Sequence, residues 1–286
     1  MMHDLILTLA CSDRQGIVAM VGGFLADRGF TIRDSQQFGD EETNLFFMRV
    51  HAALLPDRPI DFHQVRAEFG ESVGEVLKAD WAIHDPRHKH RVLVMVSRQG
   101  HCLNDLLHRV RTGSMQADVV AVVSNHDDLR ELVEWHGIPF HHVPVTPETK
   151  NWAETELRKL VSSYDAESVI LARYMQILSN ELCKDLAGRA INIHHSLLPS
   201  FKGARPYFQA HARGVKVIGA TAHYVTGDLD EGPIIEQDFI RVDHLHSAAD
   251  LTAVGRDLEA LALARAVMAH AEHKVLMNGT RTVVFR

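Results

Sequence analysis

Residues 190–235 read AINIHHSLLPSFKGARPYFQAHARGVKVIGATAHYVTGDLDEGPII, and they decide what kind of fold this chain forms. The apolar run Ala190 to Ile193 stops at polar side chains and is followed by a proline and a glycine, which predicts a strand running into a loop. A second predicted strand, Val215 to Val225, is rich in β-branched residues and ends in an acidic turn, 226–233. Reactive groups of α/β proteins gather where such strands end.

Three side chains in this stretch suit acyl transfer. The amide of Asn192 can donate to the oxyanion that develops when a carbonyl is attacked. His194 can move a proton to a poor nitrogen leaving group, and a carboxylate such as Asp230 can orient that imidazole and a water molecule. Asn192 and His194 are two residues apart, so on a strand they are predicted to face the same side.

Two other interpretations of these residues stay open at this point. The polar groups could merely satisfy loop backbone. A metal site is the second alternative, because His194, His195 and His223 lie near several acids. Adjacent histidines are expected to point to opposite faces of a strand, and the sequence contains neither HExxH nor a Cys cluster, so we expect no metal.

The stretch resembles the folate-dependent formyltransferase family, whose pattern is N-I-H-x-S-L-L-P with a downstream D-x-D-x-G-P. The adjacent histidines, G-A-R-P-Y and G-A-T-A-H-Y-V are similar to the hydrolytic branch of that family. The resemblance implies hydrolysis of 10-formyltetrahydrofolate to tetrahydrofolate and formate, which would supply formate for purine synthesis and balance one-carbon pools. Folate would then be the substrate, and no cofactor is expected.

The resemblance also implies roles for individual residues. Asn192 would stabilise the oxyanion, His194 would handle the proton of the leaving nitrogen, and Asp230 would orient water and His194. The expected substrate-binding residues, which line a pterin pocket in this family, are Arg173, Tyr174, Met175, Ile177, Leu178, His195, Ser196, Gly203, Thr226 and Asp228.

The loop Ser97 to Cys102 bears on what accepts the formyl group. It lacks GxGxxG and the P-loop pattern, so neither a dinucleotide nor a nucleoside triphosphate is predicted. In the family's glycinamide ribonucleotide formyltransferases the matching loop is a glycine-rich phosphate cradle, and its absence here favours water. Transfer of the formyl group to a small amine is the alternative activity. A non-catalytic folate or amino-acid sensor is the third hypothesis.

Composition limits the possible partners. The 286 residues are 46% apolar and 23% charged, as in folded globular proteins, and the net charge of -7 makes nucleic acid an unexpected partner. The widely spaced cysteines Cys11, Cys102 and Cys183 predict reduced thiols in a cytoplasmic protein. No segment has the apolar length of a membrane span, so we expect no membrane partner.

Residues 1–84 predict a separate small domain. Apolar runs and helical spacings follow the order βαββαβ, which suits a ferredoxin-like antiparallel sheet with two helices on one face. The string CSDRQGIVAMVGGFLADRGFTI resembles the opening of an ACT domain. This implies either an amino-acid effector or a module that builds a homo-oligomer. The expected effector-binding residues are Asp13, Arg14, Gln15, Gly16 and Ile17, where a helix N-terminus offers free N–H groups.

The remainder predicts an α/β catalytic domain. The polar segment 85–90 would be a linker. From residue 91 to 286, strands alternate with helical blocks, which predicts a doubly wound, mostly parallel sheet with right-handed crossovers. A long helix from Ser247 to about His273 carries an apolar face and could contribute to an oligomer surface.

Overall fold

The computed structural model describes residues 3–54, 59–199 and 206–286. The chain divides into two compact units. The first unit combines Met1–Lys89 with Glu272–Arg286, and the second is His90–Ala271.

The first unit begins with the predicted small antiparallel sheet. Its elements are β1 (His3–Ser12), α1 (Ile17–Asp27), β2 (Phe30–Asp40), β3 (Leu45–Leu54), α2 (Phe62–Phe69), α3 (Glu75–Leu77) and β4 (Asp80–His84). The four strands lie in the order β2-β3-β1-β4, and every neighbouring pair is antiparallel. Leu5, Leu7 and Leu9 alternate along β1 and lie buried in the core of this unit. The expected βαββαβ order is confirmed.

The second unit alternates strands and helices. Its elements are β5 (His90–Val96), α4 (His101–Arg111), β6 (Ala117–Ser124), α5 (Arg130–Trp135), β7 (Phe140–His142), α6 (Lys150–Ser163), β8 (Ser168–Leu171), α7 (Asn180–Asp185), β9 (Ala190–His194), α8 (Pro206–Arg213), β10 (Val217–Tyr224), β11 (Ile234–Arg241) and α9 (Ala248–Ala271).

The strands of the second unit form one sheet in the order β11-β10-β9-β8-β5-β6-β7. The five strands from β9 to β7 pair in parallel, while β10 pairs antiparallel with both β9 and β11. Val92 to Val96 and the whole of β8 are buried, as expected where helices cover both faces of a parallel sheet. The predicted mostly parallel sheet is therefore confirmed.

The C-terminal residues correct the predicted domain division. Helix α9 ends at Ala271, and a hairpin of β12 (Val275–Asn278) and β13 (Arg281–Val284) follows it. Residues 272–286 belong to the first unit, although the sequence placed them in the second domain. The reason is a set of long-range hydrogen bonds: Asn278 and Arg281 donate to the buried Asp40 at 2.6 and 2.9 Å. Strand β5 also starts at His90, the last residue of the predicted linker.

Helix α9 packs tightly against Tyr207 of α8. A Cβ atom at Gly255 would lie 2.1 Å from Cζ of Tyr207, so only glycine lets this ring approach the helix. The approach brings the Tyr207 hydroxyl to the buried carboxylate of Glu259, one turn further along α9. Among the described residues, no helix combines the length and apolar character needed to cross a bilayer.

Candidate active site

A cavity of about 530 Å³ lies where β8, β9 and β10 meet α9. Its walls include Asn192 and His194 on β9, His223 on β10, Asp230 in the turn after β10, and Glu259 on α9. The predicted trio of Asn192, His194 and Asp230 therefore shares one pocket, and Asn192 and His194 face the same side as expected.

The acidic turn after β10 brings Asp230 next to His194. Strand β10 runs antiparallel to β9, which sets His223 opposite Asn192 and Thr221 opposite His194. The turn is closed by a hydrogen bond from Tyr224 N to Pro233 O at 2.9 Å. A Cβ at Gly232 would lie 1.7 Å from the Tyr224 carbonyl oxygen, so the closure requires glycine there.

Asp230 is the anionic centre of the site. Its Oδ2 atom lies 3.2 Å from Nδ1 of His194, and its Oδ1 atom lies 3.6 Å from Nε2 of His223. Burial acts to raise the pKa of Asp230, but the hydrogen bond and charge of His194, with those of His223 when that ring is protonated, outweigh it, and the pKa lies well below its ordinary value. The carboxylate is therefore ionised at neutral pH and stabilises a positive charge on His194.

One ring nitrogen of His194 lies next to Asp230, and the other is unpaired among the described residues. Its Nε2 atom is buried and has no hydrogen-bond partner among the described residues. Buried polar atoms are almost always paired in folded proteins, and exceptions concentrate at functional sites. The unpaired nitrogen fits a group that exchanges a proton with a bound substrate.

His223 is a functional neighbour that the sequence interpretation did not assign to catalysis. Its Nδ1 atom must donate to the Tyr224 carbonyl, 2.9 Å away, so in the neutral ring Nε2 is an acceptor. The Asn192 amide nitrogen donates to that acceptor at 3.3 Å, which leaves its second N–H for a substrate oxygen. Only the pairing of β9 with β10 reveals this contact, because the residues lie 31 positions apart.

The expectation for His194 and His195 was wrong. Strand β9 ends at His194 and the chain bends at His195, so strand alternation does not continue. The two rings stack with centroids 4.8 Å apart and planes at 23°, and both line the cavity. His195 Nδ1 lies 2.7 Å from the guanidinium of Arg173.

The other predicted substrate-binding residues divide into two groups. Those that line the cavity, in addition to Arg173 and His195, are Tyr174, Met175, Ile177, Leu178, Thr226 and Asp228. Met175 and Ile177 are 58% and 63% exposed, as the apolar wall of a ligand pocket would be. Ser196 is buried, its carbonyl accepts a hydrogen bond from Thr221, and it is not among the described residues that line the cavity, so its role in substrate binding stays a prediction. Gly203 lies outside the described residues.

A buried cluster around Glu259 was absent from the sequence interpretation. Potential donor atoms of His101, Cys102 and Glu259 lie within 4.8 Å of one another, as metal ligands can. The chemistry of the cluster does not suit a cation, because Glu259 already accepts hydrogen bonds from His101 and Tyr207 and lies 3.3 Å from Arg173. Burial also holds the pKa of Cys102 well above its ordinary value, which disfavours a thiolate ligand.

The predicted effector-binding residues belong to the first unit. Ile17 begins α1, and Gly16 precedes it with a left-handed φ of 96°. The backbone N–H of Asp13 donates to the Asn44 carbonyl, and the guanidinium of Arg14 donates to the Val76 carbonyl. These contacts place residues 13–17 in the turn between β1 and α1, as predicted, while the identity of an effector stays a prediction.

Comparisons with known proteins agree on the relatives of this chain. The formyl transferase family matches residues 90–267. A formyltetrahydrofolate deformylase of Corynebacterium sp. (strain P-1) is 49% identical over 283 residues, which is 98% of each chain. The crystal structure of a formyltetrahydrofolate deformylase from Pseudomonas syringae pv. tomato superposes with a TM-score of 0.96 at 48% identity, covering 100% of this chain and 95% of that one.

A more distant neighbour is similar over a smaller part of the chain. The crystal structure of glycinamide ribonucleotide transformylase 1 from Symbiobacterium toebii superposes with a TM-score of 0.65 at 29% identity. It covers 70% of this chain and 95% of its own. The similarity therefore extends over most of the transformylase and over only part of the present protein.

Proposed function

The chain belongs to the formyl transferase family and, within it, to the formyltetrahydrofolate deformylases, and on that premise we propose how its site hydrolyses 10-formyltetrahydrofolate. Water and 10-formyltetrahydrofolate give tetrahydrofolate and formate. The observation that carries the proposal is the convergence of Asn192, His194 and Asp230 in one cavity, with Asp230 held ionised beside His194.

The first step is attack of water on the formyl carbon. The water oxygen forms a bond to that carbon, and the carbonyl electron pair moves onto oxygen, which becomes an oxyanion. Asn192 would donate its second amide N–H to this oxygen, a role supported by the contact of its amide nitrogen with His223 at 3.3 Å. A donor held in position before the reaction stabilises the oxyanion without reorganisation.

The second step breaks the bond between the formyl carbon and N10. The oxyanion electron pair re-forms the carbonyl, and N10 leaves with a proton delivered by the His194 imidazolium. Asp230 stabilises that imidazolium at 3.2 Å and orients the attacking water, whose proton restores His194. Formic acid ionises to formate at neutral pH, so the reaction releases one proton overall.

The apolar wall supports the choice of a folate substrate. Met175, Ile177 and Leu178 offer apolar surface, and neighbouring loop backbone offers donors and acceptors for the edge of a flat heterocycle. Thr226 donates to the Asp228 carbonyl at 3.0 Å and so shapes the acidic turn on the opposite side of the pocket. These groups are suited to hold the pterin while the formyl group faces the trio.

The experiment that tests the function follows the formyl carbon. Purified protein is incubated with 10-formyltetrahydrofolate labelled at that carbon, with and without glycinamide ribonucleotide. We expect labelled formate at the same rate in both reactions. Label recovered in the amine, with negligible formate when the amine is omitted, would make the protein a transferase.

The first unit has a proposed regulatory or structural role. Its antiparallel sheet with the βαββαβ order suits an ACT-like module, and we propose that an amino acid binds at residues 13–17 or that the module builds a homo-oligomer. A ligand counts as an allosteric effector only if it shifts the equilibrium between active and inactive states. Calorimetry with a panel of amino acids, paired with turnover assays, tests the effector. Absence of heat and of any change in rate leaves the assembly role.

The cellular setting of the reaction is also proposed. Release of formate would supply purine synthesis and balance one-carbon folate pools in the cytoplasm. The free, buried cysteines Cys11, Cys102 and Cys183 fit a reducing compartment.

A further inference from the structure

Arg173 is anchored in a way that a substrate-binding arginine does not need. It has a left-handed φ of 66° in the turn after β8, and its side chain is 11% exposed. Its Nε atom lies 3.3 Å from the Glu259 carboxylate and 3.2 Å from Oε1 of Gln99. One terminal nitrogen donates to Nδ1 of His195 at 2.7 Å. The guanidinium thus joins a buried acid to a histidine of the active site.

Glu259 is built to hold Arg173 in this position. The residue is 1% exposed and accepts hydrogen bonds from the Tyr207 hydroxyl at 2.7 Å and His101 at 2.8 Å. Burial acts to raise the pKa of Glu259, but the His101 hydrogen bond, the Arg173 charge and the Tyr207 hydrogen bond lower it overall. The carboxylate is therefore ionised, which balances the charge of the enclosed guanidinium.

The contact with Arg173 determines where His195 carries its proton. An arginine side chain has only donors and does not deprotonate in proteins, so Nδ1 of His195 must accept. The neutral ring then carries its hydrogen on Nε2. Adding a second proton at Nδ1 would break the hydrogen bond and place two positive groups 2.7 Å apart.

This constraint distinguishes two histidines that are otherwise alike. Their rings stack at 4.8 Å, but His194 faces the ionised Asp230, whereas His195 faces a cation. We propose that Arg173, anchored by buried Glu259, is a positioning residue that locks His195 as the neutral Nε2–H tautomer, so that only His194 of the stacked pair exchanges protons. The effect of this tautomer on catalysis rests on the proposed hydrolysis, whereas the assignment of the tautomer does not depend on that function.

Three titratable side chains lie close to the His195 ring, and none of the three carries a negative charge that would stabilise a second proton on it. Arg173 faces Nδ1, the His194 ring lies against one side, and the Tyr207 ring centroid is 6.4 Å away. Burial and the nearby Glu259 raise the pKa of Tyr207, so its hydroxyl stays protonated and cannot offset a charge on His195. Asp230 is hydrogen-bonded to His194, so its negative charge stabilises a proton on His194 rather than on His195.

Nitrogen-15 NMR of the histidine rings tests the tautomer directly in the full chain without ligand. The His195 signals are assigned by their absence from the His195→Asn spectrum. We expect one protonated and one unprotonated ring nitrogen, with the proton on Nε2, across the pH range in which the protein is folded. A doubly protonated His195 at neutral pH, or a proton on Nδ1, would overturn the proposal.

Variants of the anchor test the cause. Arg173→Lys keeps the positive charge but cannot bridge Glu259 and His195 as a guanidinium does, and Glu259→Gln removes the charge that anchors it. We expect mixed tautomers or uptake of a proton at His195 in either variant that folds. The control is Arg265→Gln. Arg265 lies on α9, the same helix as Glu259, and the substitution breaks its exposed ion pair with Asp238 of β11. An unchanged His195 spectrum in a folded anchor variant would show that Arg173 does not set the tautomer.

Kinetics then connect the tautomer to turnover. A misplacement of catalytic groups by about 1 Å can cost about 10²-fold in rate, so we expect kcat of Arg173→Lys to fall by up to that amount with little change in KM. In a His195→Asn background the same substitution should have little further effect, because Arg173 acts through His195. Additive losses, or a change confined to KM, would instead make Arg173 a direct substrate contact. A protein inactive with folate but carrying the expected tautomer would refute only the proposed function.

Discussion

Asp230 Oδ2 lies 3.2 Å from His194 Nδ1, although the two residues come from a turn and a strand separated by the whole of α8 and β10. The same carboxylate approaches His223 with its second oxygen. One carboxylate therefore approaches both His194, the proposed proton carrier, and His223, which contacts the proposed oxyanion donor Asn192. This arrangement leads to the first two predictions.

Removing the charge of Asp230 should nearly abolish turnover. Asp230→Asn keeps the shape of the side chain but no longer stabilises a His194 imidazolium, and we expect kcat to fall by about 10²–10⁴-fold, as for His194→Ala. Steady-state formate release measures this. The control Glu231→Gln changes an exposed acid of the same turn that does not line the cavity. Near-normal turnover in a folded Asp230→Asn protein would contradict its role.

The amide of Asn192 should matter for rate rather than for binding. Asn192→Ala removes the donor aimed at the oxyanion, and the loss is expected to be about 10²–10³-fold in kcat. Substrate affinity, measured by calorimetry with a non-hydrolysable folate analogue, should change little, since the apolar wall is intact. A loss of affinity with unchanged kcat would assign Asn192 to ground-state binding.

Half-buried His270 should make the protein sensitive to mild acid. Burial lowers its pKa to about 3, helped by the nearby His90, while Ser168 and Tyr224 hydrogen-bond its two ring nitrogens. An unfolded histidine titrates near pH 6.5, so the unfolded chain gains a proton that the folded chain does not. The free energy of unfolding should therefore decrease as pH falls from about 6.5 toward 3.

Urea denaturation at a series of pH values measures this dependence. His270→Gln should flatten the pH dependence over that range even if it lowers stability overall. Substitution of the exposed His244 by glutamine should leave the slope as in the parent. An unaltered slope in His270→Gln would mean that another group is responsible.

The contact between Gly255 and Tyr207 should make this glycine sensitive to the smallest substitution. Gly255→Ala places a Cβ 2.1 Å from the ring, and overpacking of this kind costs about 1–3 kcal/mol in the free energy of unfolding. Gly23→Ala is the matched control, because this glycine in α1 has no atom within 4 Å of the added Cβ. There we expect a gain of about 0.5–1 kcal/mol, the intrinsic helix preference of alanine. Equal effects at both sites would refute the packing explanation.

The sequence by itself determined the type of fold and predicted the trio of Asn192, His194 and Asp230. Apolar runs and helical spacing depend on neighbours within one element, so the βαββαβ order and the parallel sheet could be predicted without coordinates. Because Asn192 and His194 are two residues apart on one strand, they were predicted to face the same side of the sheet. The sequence pattern of the acidic turn predicted Asp230 as the carboxylate partner of His194. Patterns of this kind extend over a few residues, where chain geometry dictates which side chains can cooperate.

Only the tertiary structure decided which other residues surround the trio. His223 faces Asn192 through strand pairing, and Glu259 reaches Arg173 from a helix 86 positions further along the chain. Residues 272–286 similarly belong to the first unit because Asn278 and Arg281 bind Asp40. Such contacts join segments whose local patterns are independent of one another. Their partners are selected by the packing of the whole chain, which no local spacing encodes.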